Sequence, residues 1–148
     1  MVKILVAYAT EHGSTREVAQ KIGEALETKD LDVDVQDVRG VKDLSSYNAA
    51  IVGAPIIAFK FLEPAKEFVE GNKDALSKIP VAYFSLGMLM KRNTPFRRKL
   101  FMKWLKVVTE HVEPCDIGLF GGKTDKEDCR DWEKITAWAE GLAEKFGS

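Results

Sequence analysis

Cysteine is nearly absent: Cys115 and Cys129 are the two in 148 residues, and they form no C-x-x-C pair. Structural zinc and iron–sulfur centres need three or four ligands at suitable spacing, so both are nearly excluded. Two free thiols fit a reducing compartment, and the expected location is the cytoplasm. Net charge is also close to nothing, at −1 by formal count, so the overall balance points to no nucleic acid or other polyanion. No window approaches the roughly 18 apolar residues of a membrane span. The opening MVKILVAYAT lacks the apolar core and small-residue cleavage site of a signal peptide. Repeats, low-complexity stretches and linkers are missing too, so residues 1–148 are expected to form one domain.

What remains is an ordinary hydrophobic content of 45%, enough for a normal core, arranged in five strand–helix units. Val2 to Tyr8 is a run of strand formers closed by a polar loop at Thr10. Ser14 and Glu17 have the spacing of a capping box, with Ser14 expected at the cap. Val18, Ala19, Ile22, Ala25 and Leu26 then form one helical stripe. Leu31 to Gln36 alternates strictly, as a strand with one wet face near a sheet edge does. Ala49 to Ile56 reads as a strand buried on both faces. A helix is expected to open at Glu63-Pro64, where proline lacks only an unneeded N–H.

Pro80 to Leu86 is a fourth strand, followed by a basic helix around Pro95 to Glu110 and a fifth strand from Asp116 to Phe120. The last helix, roughly Cys129 to Phe146, carries Trp132, Ile135, Trp138, Ala139 and Leu142 on one stripe. Such alternation predicts an α/β fold with a parallel sheet and right-handed crossovers. The half-polar second strand suits an edge, which fits the order 2-1-3-4-5.

The loop Thr10-Glu11-His12-Gly13-Ser14-Thr15 is the candidate for chemistry. A helix N-terminus offers unpaired backbone N–H groups and the positive end of the dipole to a phosphate. Thr10, Ser14 and Thr15 add hydroxyls, and Gly13 lets the chain curl around the oxygens. No lysine lies in the loop, so neutral donors are expected to hold the dianion. The spacing matches neither a Walker A loop nor a dinucleotide fingerprint. The same residues also suit an ordinary capped helix after a strand.

That loop resembles the FMN phosphate loop of flavodoxins, usually T-x-T-G-x-T, with His12 standing where threonine is common. The likeness extends to Ile51-Val52-Gly53-Ala54-Pro55-Ile56, Phe84-Ser85-Leu86, Phe120-Gly121-Gly122 and Asp131-Trp132-Glu133. It is nearest to the flavodoxin-domain branch that includes menaquinone-dependent protoporphyrinogen oxidase. The resemblance implies a flavodoxin-like three-layer sandwich holding FMN between the first and third strands, as flavodoxins do. It implies that Pro55, Ile56, Ile57, Ala58, Phe59 and Lys60 run along the isoalloxazine ring. Ser85, Leu86, Gly87 and Met88 would approach its other side, and Gly121 and Gly122 would close the site. Backbone N–H groups there would receive the flavin carbonyls, with Phe59 or Met88 covering a ring face. The tryptophan and tyrosine that usually flank the ring have no counterpart in the matching loops. The loop after Gly53 also has no glycine, so strong stabilisation of a half-reduced flavin is not expected from it.

Two functions follow from the resemblance. One is an FMN electron carrier between redox proteins; the other is an FMN-dependent oxidoreductase acting on protoporphyrinogen with a quinone. The branch's enzymes carry a longer insertion before the last helix, and the short Gly121 to Asp128 connection favours the carrier. A receiver domain is excluded because the first and third strands end in Ala7-Tyr8-Ala9 and Gly53-Ala54-Pro55, without aspartate. No residues form a catalytic constellation. One segment is unusual in charge: between Lys91 and Lys106 lie seven basic residues and no acid, leaving 15 basic against 23 acidic residues elsewhere. This face suits an acidic redox partner such as a ferredoxin, peripheral contact with an anionic membrane, or simply solvent.

Overall fold

A computed structural model describes residues 2–147; Met1 and Ser148, the ends of the expected domain, lie outside the described residues. Five parallel strands, β1 (Lys3–Tyr8), β2 (Asp32–Asp37), β3 (Ala49–Ile57), β5 (Val81–Gly87) and β6 (Asp116–Gly121), stand in the order β2-β1-β3-β5-β6. This is the expected 2-1-3-4-5 arrangement. Periodicity gives no sign of one further strand, the two-residue β4 (Lys60–Phe61). It folds back antiparallel on β3 and pairs Phe61 with Ile56 and Lys60 with Ile57.

Helices α1 (Ser14–Glu27), α2 (Glu63–Gly71), α3 (Lys73–Leu76), α4 (Pro95–Trp104), α5 (Lys106–Thr109) and α6 (Trp132–Gly147) complete a three-layer sandwich. Side chains alternate across a strand, and a parallel sheet between helices buries both sets. Ile4 and Val6 of β1 pack with Val18, Ile22 and Leu26 of α1 and with Ile135 and Leu142 of α6. Leu5 and Ala7, between them, join the opposite core with Val52, Tyr83, Phe68, Phe101 and Val108. The strict alternation of β2 reflects its edge position. Val33 and Val35 lean on the α1 side, while Asp34 accepts the Tyr47 hydroxyl at 2.8 Å.

Two helices differ from the pattern-based expectation. The basic helix breaks at Leu105, whose ψ of −7° tightens the turn between α4 and α5. The last helix starts at Trp132, because the Cys129 N–H is drawn back to the Gly122 carbonyl at 2.8 Å. Asp131 then accepts the Lys134 N–H on its carboxylate. Among the described residues, no helix is long and apolar enough to cross a membrane.

The register sets the site. Tyr8 is level with Gly53, Gly53 with Phe84, and Gly87 with Gly121. The loops leaving β1, β3, β5 and β6 therefore emerge side by side at one edge of the sheet.

Candidate functional site

The first loop is anchored where the Ala9 N–H donates to the Gly53 carbonyl at 2.9 Å. The Thr10 hydroxyl accepts the Gly13 N–H at 2.9 Å, closing a tight turn. Gly13 has φ of 91°, a left-handed conformation that glycine adopts without a Cβ penalty. It is therefore Gly13 that caps α1, and no side chain closes the cap. The expected capping box is corrected on this point: Ser14 is the first helical residue, and the Glu17 carboxylate turns away to Arg130 at 2.8 Å. The Glu17 N–H closes the first turn on the Gly13 carbonyl at 3.3 Å. The amides of Ser14, Thr15 and Arg16 lie ahead of that ladder, where a helix has no carbonyls to offer.

Thr15 is fully buried, and its hydroxyl has no hydrogen-bond partner among the described residues. A buried hydroxyl left alone costs roughly 1–3 kcal/mol, so this atom suits an acceptor supplied from outside the chain.

A cleft of about 270 Å³ opens beside this loop. Glu11, His12 and Ser14 form one wall, Pro55, Ile56 and Ile57 a second, and Leu86, Gly87 and Met88 a third. Gly122, Lys123 and Thr124 complete it. Ten of the residues expected from the sequence thus meet in one place.

The others sit around it. Thr10 and Gly13 shape the turn, and Thr15 is buried at the helix start. Ser85 is buried, its hydroxyl donating to the Ala54 carbonyl at 2.8 Å. Gly121 is also buried, and a Cβ there would run into the Cys129 carbonyl. Gly122 would meet the Gly87 backbone at 3.2 Å if it carried a Cβ. Its own N–H donates to the Gly87 carbonyl at 3.1 Å, so that amide holds two loops together.

Ala58, Phe59 and Lys60 belong to the hairpin between β3 and β4. Strand β3 runs on to Ile57, and the turn that follows holds Ala58 and Phe59 at φ of 53° and 64°. Two-residue hairpins of this hand usually use Asn-Gly, so non-glycine residues here are strained. Phe59 is 74% exposed, with its ring centroid 5.6 Å from that of Trp104 in α4.

Lys123 and Thr124 went unmarked by sequence reasoning, although they directly follow Gly121-Gly122. Lys123 brings a basic residue to the lining beside a loop that itself holds no lysine or arginine. A second hollow of about 400 Å³ continues past His12, Ser14, Lys123 and Thr124 to Glu17 and Asp125. Arg130 borders the same region. Its guanidinium takes both Asp128 oxygens, at 2.9 and 2.8 Å, and Glu17 at 2.8 Å. The Arg130 hydrogen bond pulls the Asp128 carboxyl down to about 2.

A family model for flavodoxin domains matches residues 5–139. The chain belongs to the flavodoxin domain family. It is 22% identical to protoporphyrinogen IX dehydrogenase [quinone] of Escherichia coli K12, covering 96% of this chain and 95% of the relative. That alignment runs over 172 positions, so the relative carries segments that this 148-residue flavodoxin-domain chain lacks. Among solved structures, Flavodoxin 2 from Bacillus cereus is 25% identical with a TM-score of 0.66, covering 98% of this chain and all of that one. A flavodoxin from the domain Archaea superposes with a TM-score of 0.67 at 24% identity, covering 99% of this chain and 100% of that one.

The features of this flavodoxin domain suit a flavin phosphate. The Gly13 cap and the first turn of α1 offer a left-handed glycine, free amides and an orphaned hydroxyl, and Lys123 lines the same cleft.

Proposed function

We propose that the cleft holds FMN and that the protein is an electron carrier between redox proteins. The single observation that carries this reading is the buried, unpartnered Thr15 hydroxyl at the start of α1. The amides of Ser14, Thr15 and Arg16 would bind the phosphate, and Lys123 would add charge to the neutral donors of the loop. Ile56, Ile57, Leu86 and Met88 would supply apolar walls that exclude water from the ring. When bound, FMN supplies the one- or two-electron chemistry. Reconstitution with FMN, followed by stepwise reduction in the visible spectrum, tests this. Tight one-to-one binding and reversible reduction are expected; absence of flavin binding would refute the proposal.

A second reading is an oxidoreductase of the protoporphyrinogen and quinone type, favoured by likeness to the Escherichia coli dehydrogenase along nearly the whole chain. The short Gly121 to Asp128 connection favours the carrier, because it leaves little chain to build a pocket around a macrocycle. Porphyrin oxidation coupled to a menaquinone would reverse the preference.

The partner docks on the basic face of α4 and α5 and is an acidic redox protein, a ferredoxin for instance. Lys91 is already paired with Glu127 at 2.9 Å, and Arg97 donates to the Leu89 carbonyl at 2.8 Å. Arg92, Arg98, Lys99, Lys103 and Lys106 are exposed on that face. Phe59 and Ile57 on the hairpin and Phe96 and Met102 on α4 are its exposed apolar side chains. Docking there brings the partner against β3, whose Ile56 and Ile57 wall the cleft. The two free cysteines support a reducing, cytoplasmic setting.

A further inference from the structure

We infer that Arg130 is a positioning residue that makes the cleft selective for a phosphorylated flavin; this rests on the FMN reading. The problem it solves is electrostatic. Glu17 lies in the first turn of α1 and lines the hollow that runs on past His12 and Ser14. A carboxylate within one turn of a bound dianion opposes it, and the helix dipole alone offsets little of that repulsion.

Arg130 answers this from the other side of the sequence. Nη1 reaches Glu17 Oε1 at 2.8 Å and the Ser14 carbonyl at 3.2 Å. Nε and Nη2 grip both Asp128 oxygens. The side chain is 4% exposed, and its guanidinium lies 4.7 Å from the Trp132 ring centroid. A buried planar fork of this kind holds one geometry, where a lysine would supply charge alone.

Arg130 also joins the two walls at the phosphate end of the cleft. The stretch it anchors is stapled by Cys129 N–H to the Gly122 carbonyl at 2.8 Å and by Thr124 N–H to the Glu127 carbonyl at 2.8 Å. Lys123 faces Asp128 across an isolated bridge. Pulling Arg130 onto Ser14 and Glu17 therefore sets Lys123 and Thr124 against His12 and Ser14. Neutralising Glu17 and seating Lys123 both act on the phosphate and leave the ring walls of β3 and β5 alone.

Riboflavin has the ring and ribityl chain of FMN without the phosphate, so the pair isolates this effect. Dissociation constants for both come from quenching of flavin fluorescence, with thermal melts of the flavin-free proteins alongside. Arg130→Met is expected to weaken FMN by roughly tenfold or more while riboflavin changes by less than about twofold. Arg130→Lys should fall between. Adding Glu17→Gln to Arg130→Met should recover part of the FMN affinity, because the uncompensated carboxylate is then gone. Equal loss of both flavins in Arg130→Met, or no recovery in the double variant, would overturn the inference. So would a wild type that binds the two flavins equally well, which would leave flavin binding itself standing. A wild type that binds neither would instead remove the FMN reading on which the inference rests.

Discussion

Burying the Thr15 hydroxyl without a partner destabilises the flavin-free protein by roughly 1–3 kcal/mol, and a phosphate oxygen would remove that penalty. Thr15→Val keeps the shape and deletes the hydroxyl. It should raise the melting temperature of the flavin-free protein while weakening FMN binding, measured by calorimetry and fluorescence titration. Opposite signs in the two measurements identify a ligand-facing group; a variant that loses both would mark Thr15 as packing alone. Tyr47 carries a pH-dependent counterpart. Burial and the neighbouring Asp34 push its phenol up to about 12. The neutral form is the one the fold favours, so its contribution is complete below the ordinary phenol value and is lost as pH rises through about 12. Ultraviolet difference titration should show that phenol ionising late, and Asp34→Asn should move it down. Asp128 behaves in the opposite sense. With its carboxyl held down to about 2 by Arg130, the pair's contribution is complete above the ordinary carboxylate range and is lost as pH falls through about 2. Arg130 could not be read from the chain, because its partner Glu17 lies 113 positions away.

Helices and strands were legible to within a few residues because their signals are local. The stripe of α1, Val18, Ala19, Ile22 and Leu26, is wholly buried. So are Ile135, Ala139 and Leu142 of α6. Leu142→Ala should therefore destabilise by about 2–5 kcal/mol in urea unfolding, the usual cost of a large-to-small change in a packed core. Turns were less legible, since a two-residue hairpin has no period. Ala-Phe resembles no hairpin turn in sequence, yet Ala58 and Phe59 both adopt positive φ. Ala58→Gly relieves the left-handed strain and should stabilise by about 0.5–1 kcal/mol, after the added entropy of glycine is counted. The start of α1 was misplaced by one residue for a related reason. Ser14 has cap chemistry, but Gly13 has the backbone freedom, and the φ of 91° decides between them.

At the scale of the molecule, a nearly neutral chain is uneven in charge: α4 and α5 carry Arg97, Arg98, Lys99, Lys103 and Lys106 and no acidic residue. If that face steers an acidic partner, electron transfer should slow as salt rises. Replacing Arg98, Lys99 and Lys103 with glutamine should flatten that salt dependence in stopped-flow measurements with an acidic ferredoxin, at unchanged FMN affinity. An unaltered rate would place docking elsewhere. Arg97 is better left intact, because its bond to the Leu89 carbonyl is structural. Sequence alone determined the five main strands, the helices α1, α2 and α6, the parallel α/β class and the loops that leave one edge of the sheet, but not β4, α3 or the break between α4 and α5. Apolar period and polar punctuation carry that information within a few residues of each position. Tertiary structure alone decided that Lys123 lines the cleft, that Arg130 meets Glu17, and that the Thr15 hydroxyl has no partner among the described residues. Those are contacts between elements distant along the chain. A periodic pattern encodes which face of an element is buried, not which polar group of another element will meet it there.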